Sequence, residues 1–297
     1  MSFEKGFNVF DRLKILGQYL LPKKLLTQLL GKLADTAGGR ATAAAIGWFV
    51  RRYGVDMSEA AEPDIARYHS FNAFFTRELR ADARPIAPVD FICPVDGAIS
   101  QYGRINSNQI FQAKGHYYST EALLAERAGM ATPYENGCFA TLYLSPRDYH
   151  RIHMPCNGRL LRMIYVPGTL FSVNPLTARE VPGLFARNER VVCEFETEFG
   201  SFVMVLVGAT IVGSMATVWH GVVNPPRPGD IREWNYSTEN IRLRKGEEMG
   251  RFLLGSTVVM LFPPNVLEFN EEWAPERQVR MGEPMSQPGA NVASSAE

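Results

Sequence analysis

Val192-Cys193-Glu194-Phe195-Glu196, then Glu198-Phe199-Gly200, then the run from Ser201 to Trp219, which carries no charge over 19 positions: the reading of these residues decides the fold. Such a run approaches the ~20 apolar residues that a membrane-spanning helix requires. Its residue types argue otherwise. Gly208 and Gly213 interrupt it, and Val203, Val205, Val207, Ile211 and Val212 are β-branched, which stiffens the side chain and favours a pleated backbone. Upstream, Cys193 and Phe195 alternate with Glu194 and Glu196 at the period of a strand, and Glu198-Phe199-Gly200 has the composition of a hairpin turn. Two buried strands are expected, not a span.

The same texture extends outward. From Phe91 to Phe269 the chain consists of short β-rich runs punctuated by glycine and proline, with strands expected at 98–105, 139–144, 160–166, 191–195, 202–207 and 257–262, and one helical interruption at 119–128. The first 56 residues differ. Phe10, Leu13, Leu16 and Leu20, then Leu26, Leu29, Leu30 and Leu33, recur at helical spacing, with Pro22 between the two helices and Gly38-Gly39 ending the second. A third helix is expected over 41–53, apolar around Ile46, Trp48, Phe49 and Val50. Nine basic against four acidic side chains in these 56 residues make a basic amphipathic segment, which suits an anionic membrane surface and equally suits packing on the protein's own core. The organisation is therefore α+β: amphipathic helices over 1–56, a β-rich catalytic domain over 57–270, and a polar flexible tail over 271–297.

Composition bounds the function. Hydrophobic residues make up 46% of the 297, enough for a sizeable core, and 31 basic side chains balance 31 acidic ones, which gives no support for nucleic-acid binding. Cys93, Cys138, Cys156 and Cys193 form no CxxC pair and read as scattered reduced thiols. Charges at Glu4, Lys5, Asp11, Arg12 and Lys14 leave no apolar core for a secretory signal.

Three segments carry residues able to do chemistry. Phe252-Leu253-Leu254-Gly255-Ser256-Thr257-Val258-Val259 sets a serine after a glycine and before a β-branched run. Read plainly, this is a turn entering a strand. Glycine also lets a group approach its carbonyl closely, as a serine hydroxyl attacking the preceding peptide bond requires. Leu144-Ser145-Pro146-Arg147-Asp148-Tyr149-His150-Arg151-Ile152-His153-Met154-Pro155 places two of five histidines three residues apart, beside charged neighbours. Histidine is the side chain best suited to pass protons near neutral pH, although a structural role stays open for either one. A metal reading with Asp96 lacks the His-Glu-x-x-His helix and a third histidine. In Cys93-Pro94-Val95-Asp96-Gly97-Ala98-Ile99 the Asp-Gly pair is a turn signal, and the acid can instead orient an imidazole, as in a Ser-His-Asp array.

Together these segments resemble the phosphatidylserine decarboxylases, in particular the bacterial membrane-associated type, over about positions 15–265. The resemblance includes Phe71 to Arg77, Ala113-Lys114-Gly115-His116, Tyr165-Val166-Pro167-Gly168, Leu184-Phe185-Ala186-Arg187-Asn188-Glu189-Arg190 and Gly208-Ala209-Thr210-Ile211-Val212-Gly213. Its most diagnostic element is Leu254-Gly255-Ser256-Thr257, which matches the family's self-processing site, and no motif position departs from the pattern.

The resemblance implies a catalytic core similar to a barrel-sandwich hybrid and a zymogen that cuts itself between Gly255 and Ser256. Ser256 is the nucleophile, His153 its base and Asp96 the group orienting that base. Elimination and hydrolysis then turn Ser256 into a pyruvoyl cofactor, with no metal and no pyridoxal phosphate. This ketone takes up the amine of phosphatidylserine as a Schiff base and gives the electrons released with CO2 a sink, yielding phosphatidylethanolamine. His150 is the expected proton donor to the carbanion. The cleaved β chain (1–255) and α chain are expected to remain a heterodimer that dimerises further, peripheral on the cytoplasmic face of the cell membrane. Rival readings are a serine hydrolase, which lacks a G-x-S-x-G elbow here and stays one chain, and a phosphohistidine carrier-like β domain, which gives the Gly255-Ser256 junction no role. An inactive homologue is a third, set against the integrity of the motifs.

Overall fold

A computed structural model describes residues 15–19, 22–210, 214–224, 229–253 and 256–287. Phe10, Leu13, Leu20, Ile211 to Gly213, Leu254 and Gly255 lie outside the described residues. Residues 15–19 are helical, and Pro22 caps the next helix, α1 (Lys23–Asp35). Helix α2 (Arg40–Tyr53) carries Arg51 and Arg52 in its last turn, where cations complement the helix dipole, and stops at Gly54, whose φ of 68° few other residues adopt. Helix α3 (Phe71–Phe75) is capped by Ser70, whose hydroxyl accepts from the Ala73 N–H. Ile46, Phe49 and Val50 of α2 pack against Phe71, Phe74 and Phe75 of α3. The segment therefore has a core of its own making.

The rest is strand-rich. In chain order come β1 (Gly97–Arg104), β2 (Gln109–Ala113), β3 (His116–Ser119), α4 (Thr120–Leu123), β4 (Cys138–Leu144), β5 (Arg151–His153) and β6 (Gly158–Val166). Two short helices follow, α5 (Pro175–Glu180) and α6 (Leu184–Arg187), then β7 (Arg190–Thr197), β8 (Gly200–Val207), β9 (Met215–Thr217) and β10 (Gly221–Val222). The last are β11 (Arg232–Asn235), β12 (Arg242–Leu243), β13 (Glu248–Phe252), β14 (Ser256–Phe262) and β15 (Gln278–Val279). The main sheet is open, in the order β11-β6-β7-β8-β14-β4-β1-β15 with β12 beside β6, and its pairs are antiparallel. A second sheet runs β10-β9-β13-β5, and β2 pairs with β3.

The uncharged run is resolved by this arrangement. It supplies β8, hairpinned to β7, and β9 in the second sheet. Phe202, Met204 and Leu206 point into one core, while Val203, Val205 and Val207 point into another. Val258, Met260 and Phe262 of β14 share the first core, and Val259 and Leu261 the second. The second sheet and the C-terminal segment cover one face, with Met249, Phe252 and Met285. The β2–β3 hairpin and α4 to α6 cover the other, with Ile110, Leu123 and Phe185. A sheet buried on both faces needs apolar residues at every position, which explains why the run mimics a span. Each such side chain fully buried contributes about 1.5–3 kcal/mol. No helix among the described residues is long and apolar enough to cross a membrane.

Two expectations are corrected. The helix expected over 119–128 covers only Thr120–Leu123, because the chain turns left-handed at Ala125 (φ 63°) and Glu126 (φ 55°). The tail expected from 271 is part of the fold through residue 287: β15 pairs with β1, and Trp273, Val279 and Met285 are buried. These three and Met281, four apolar anchors spaced among Glu, Arg and Pro, hold it down. Residues 288–297 lie outside the described residues. The four cysteines are free and buried.

Candidate active site

The sheet register gathers the three chemical segments at one edge. Ser256, the first residue of β14, is in register with Leu144, the last of β4, and Thr257 is flanked by Tyr143 and Val207. Ala98 near the start of β1 also pairs with Tyr143, which sets Asp96 at the same edge. That approach requires a glycine at 97, since a Cβ there would lie 2.4 Å from the Tyr143 carbonyl oxygen. Beyond β4 the chain turns tightly: the Asp148 N–H donates to the Ser145 carbonyl (3.0 Å) and the Ser145 N–H donates to Asp148 Oδ2 (2.7 Å). It then enters β5 with His150 and His153. Strand β13 pairs with β5, and the Phe252 N–H donates to the His150 carbonyl (3.0 Å), so the chain passes the histidines shortly before Ser256. Of Ser256 only the backbone is described, and Gly255 lies outside the described residues.

His153 is buried, with Nδ1 2.8 Å from the Gly246 carbonyl oxygen and Nε2 3.1 Å from the Tyr149 hydroxyl. A carbonyl only accepts, so Nδ1 carries the proton and Nε2 presents a lone pair to the tyrosine O–H. Burial, more than any neighbouring group, lowers the His153 pKa. The ring is a neutral base near pH 7.

Asp96 does not make the hydrogen bond to His153 that was expected of it. Arg84 takes its carboxylate through Nε, 3.0 Å from Oδ1 and 3.2 Å from Oδ2, and through Nη2, while the Met281 N–H donates to Oδ1 (2.9 Å). Glu59 accepts from Arg84 Nη2 (2.8 Å) and from Arg280 Nη1 (2.8 Å), closing a ring that joins four distant segments. Burial works against the Arg84 charge, but the hydrogen bonds of Asp96 and Glu59 outweigh it, and the pKa of Arg84 is raised. A guanidinium fork fits a carboxylate at two points, whereas an imidazole offers one, so Arg84 wins the acid. The Gly246 carbonyl orients His153 in its place.

Sequence reasoning missed Arg84, Glu59 and Met281. Arg84 belongs to no motif, and a backbone N–H leaves no side-chain signature.

His150 has no exposed surface and stacks on Phe75 with centroids 4.0 Å apart. Its Nε2–H donates to the Ser145 carbonyl (3.1 Å), which leaves the Nδ1 lone pair, and Nδ1 has no partner. Burial, then the Arg77 charge, pushes its pKa down to about 3. A neutral imidazole with a free lone pair accepts a proton before it can donate one. Among the described residues no three His, Cys, Asp or Glu side chains converge in a metal-ligating group.

Two clefts open at this edge. One of about 260 Å³ is lined by Arg77, Arg84, Asp96, Arg147, Asp148 and Tyr149 among others. One of about 720 Å³ runs along Ala98, Tyr143, Ser145 and Asp148 to Val173 and Ala178, mixing polar and apolar walls.

The same segments are found together in known proteins. A family model described as phosphatidylserine decarboxylase matches residues 71–287, and a second, described as PSD, matches residues 13–54. The phosphatidylserine decarboxylase proenzyme of Dechloromonas aromatica (strain RCB) is 71% identical over 275 residues, covering 93% of this chain and 98% of that protein. The proenzyme of Azoarcus sp. (strain BH72) is 70% identical over 93% of this chain and 96% of its own length. That of Herminiimonas arsenicoxydans is 65% identical over 96% and 97%. Similarity at this level runs through the helices, the sheet edge and the C-terminal segment alike, and the chain belongs to the phosphatidylserine decarboxylase family.

Proposed function

We propose that the chain is made as a proenzyme, cuts its own backbone between Gly255 and Ser256, and then converts phosphatidylserine to phosphatidylethanolamine and CO2 in phospholipid synthesis. The observation that carries this reading is the register of Ser256 with Leu144, which sets the start of β14 beside the turn leading into His150 and His153.

The Ser256 hydroxyl attacks the Gly255 carbonyl and exchanges an amide for an ester. His153 Nε2 is the base: the ring is neutral, its tautomer is held by Gly246, and Tyr149 lies against the same nitrogen. Asp96 acts at a distance, through the ring it forms with Arg84, Glu59 and Met281. Elimination across the Ser256 Cα–Cβ bond releases residues 1–255 with a carboxylate end, and one water converts the residue left behind to a pyruvoyl group and ammonia. A terminal ketone at 256 fits this site, because the residues after it stay paired to β4 and β8, while β15 stays paired to β1. The small chain is thus retained without a covalent link. The pyruvoyl ketone captures the substrate amine and draws off the electron pair left as CO2 departs. His150 handles the proton through its unpartnered Nδ1, in a site that Phe75 helps close to water.

The lipid is met at a surface. Leu16, Tyr19, Leu29, Leu33 and Trp48 are exposed, and Lys32, Arg51 and Arg52 lie at the C-terminal ends of α1 and α2. Apolar and basic side chains combined in this way suit a peripheral seat on the anionic cytoplasmic face of the cell membrane, where each basic residue contributes about 1 kcal/mol.

Denaturing electrophoresis and mass spectrometry test the proposal. The active protein should run as two chains, the smaller beginning at residue 256 with a blocked, ketone-reactive terminus. An active, uncut chain that retains its serine would end it.

A further inference from the structure

Arg77 is buried, yet it has no carboxylate partner among the described residues. Its Nη2 lies 3.4 Å from the Arg147 carbonyl oxygen, its Nε has no partner, and its guanidinium sits 5.5 Å from the centre of the Phe74 ring. Arg190 is the useful contrast. It too is buried without an acid, but it donates to the carbonyls of Leu123, Ala122, Ala186 and Asn188 at 2.6–3.0 Å. Arg190 is saturated by its own chain, and Arg77 is not.

No acid nearby is free to take it. Arg77 is a wall of the 260 Å³ cleft, whose four acids are engaged: Asp56 by Ser58, Glu59 by Arg84 and Arg280, Asp96 by Arg84, and Asp148 by the Ser145 N–H. It also walls a cleft of about 570 Å³ that reaches Asp35 at the end of α1, and there Asn72 takes Asp35, Arg67 pairs with Glu62 and Arg151 pairs with Glu78. A buried, under-coordinated guanidinium between two clefts is an anion site awaiting its anion. Its place is beside the chemistry, because Phe75 stacks on His150 and the Thr76 carbonyl accepts from Arg151 Nε (2.9 Å).

We infer that Arg77 binds the phosphodiester of the lipid headgroup and so selects a phospholipid over a free amino acid. This rests on the proposed function. The substrate carries two anions, and the chemistry separates them. The carboxylate loses its charge as CO2 leaves, so a buried cation on it would favour the ground state over the transition state. The phosphodiester keeps its charge throughout and survives in the product. An arginine there holds substrate and product alike without opposing the reaction.

The test is calorimetric titration of the self-cleaved protein with glycerophosphoethanolamine, ethanolamine, L-serine and inorganic phosphate. The wild type should bind glycerophosphoethanolamine well above ethanolamine or serine. Arg77→Gln should weaken that diester roughly ten- to a hundredfold, with Arg77→Lys in between, and leave ethanolamine unchanged. Cleavage into two chains reports that each variant folds. Equal affinity of wild type for ethanolamine and the diester, or unchanged diester affinity in Arg77→Gln, overturns the inference. Inorganic phosphate binding as tightly as the diester reassigns the site to free phosphate and overturns the headgroup assignment. Failure of the wild type to release CO2 from phosphatidylserine instead defeats the proposed function.

Discussion

Arg84 meets Asp96 through two guanidinium nitrogens in a buried site, and the acid's remaining contact is the Met281 N–H, donated from the far end of the chain. The acid that sequence motifs pair with a histidine is thereby part of a structural ring linking Glu59, Arg84, Arg280 and the β15 segment. The segment carrying Met281 belongs to the small chain after cleavage, so the ring also ties the two products together.

Arg84→Met should therefore damage stability and processing at once. Removing one partner leaves Asp96 buried without its countercharge, which costs about 3–5 kcal/mol. Urea denaturation of the variant in an uncut Ser256→Ala background measures the first effect, and the rate of chain cleavage with Ser256 present measures the second. A variant as stable as its parent would show that Asp96 is held by Met281 alone.

On the proposed function, the acid limb of self-cleavage reports on His153. The base must be neutral to accept a proton, and burial lowers its pKa below the ordinary 6.5. Lowering the pH should then leave the rate level through 6.5 and reduce it only below that value. His153→Ala should slow cleavage by about 10²–10⁴. A quench-flow or gel time course across pH 5–8 reads the limb, and a midpoint at or above 6.5 would remove His153 as the base.

These two residues mark what the sequence can and cannot disclose. The strands were legible, because Phe202 to Val207 and Val258 to Phe262 are short runs apolar at every position and glycine breaks the long run. The candidate residues were legible as types, and the register sets Asp96 and the turn leading into His150 and His153 near the edge where Ser256 begins β14. Their partners were not. Asp96 is taken by an arginine twelve residues upstream and by a backbone amide, and His153 by the carbonyl of Gly246, none of which a motif encodes. The segment after 271 was misread because average polarity hides Trp273, Val279, Met281 and Met285, whose burial depends on contacts distant in sequence.

His150 should give the protein a pH-dependent stability. Its folded pKa, about 3, lies below the unfolded value of 6.5. Above 6.5 both states are neutral and the site contributes nothing that varies. As pH falls from 6.5 toward 3 the unfolded chain binds a proton that the native chain refuses, so stability drops by about 1.4 kcal/mol per pH unit. His150→Leu in the Ser256→Ala background should remove its share of that slope and leave what the buried His153 contributes in the same way. Denaturation midpoints at pH 7.5, 5.5 and 4.5 compare the two, and parallel slopes would mean that the ring accepts protons in the folded state.

The helices offer a test separable from the chemistry. Leu29 is 53% exposed and Leu33 67%, whereas Leu26 and Leu30 are half-buried, so only the first pair is free to enter a bilayer. Leu29→Glu with Leu33→Glu replaces two apolar side chains, each worth about 1.5–3 kcal/mol when buried, with two charges that an anionic surface repels. Flotation with phosphatidylserine-containing liposomes should lose the double variant while cleavage into two chains continues, because neither residue reaches the sheet edge. Binding should also weaken with salt, as the attraction of Lys32, Arg51 and Arg52 is screened within about 8 Å at physiological ionic strength. If the variant floats with the vesicles as the parent does, the exposed leucines face something other than lipid, and the seat on the membrane must be sought elsewhere on the surface.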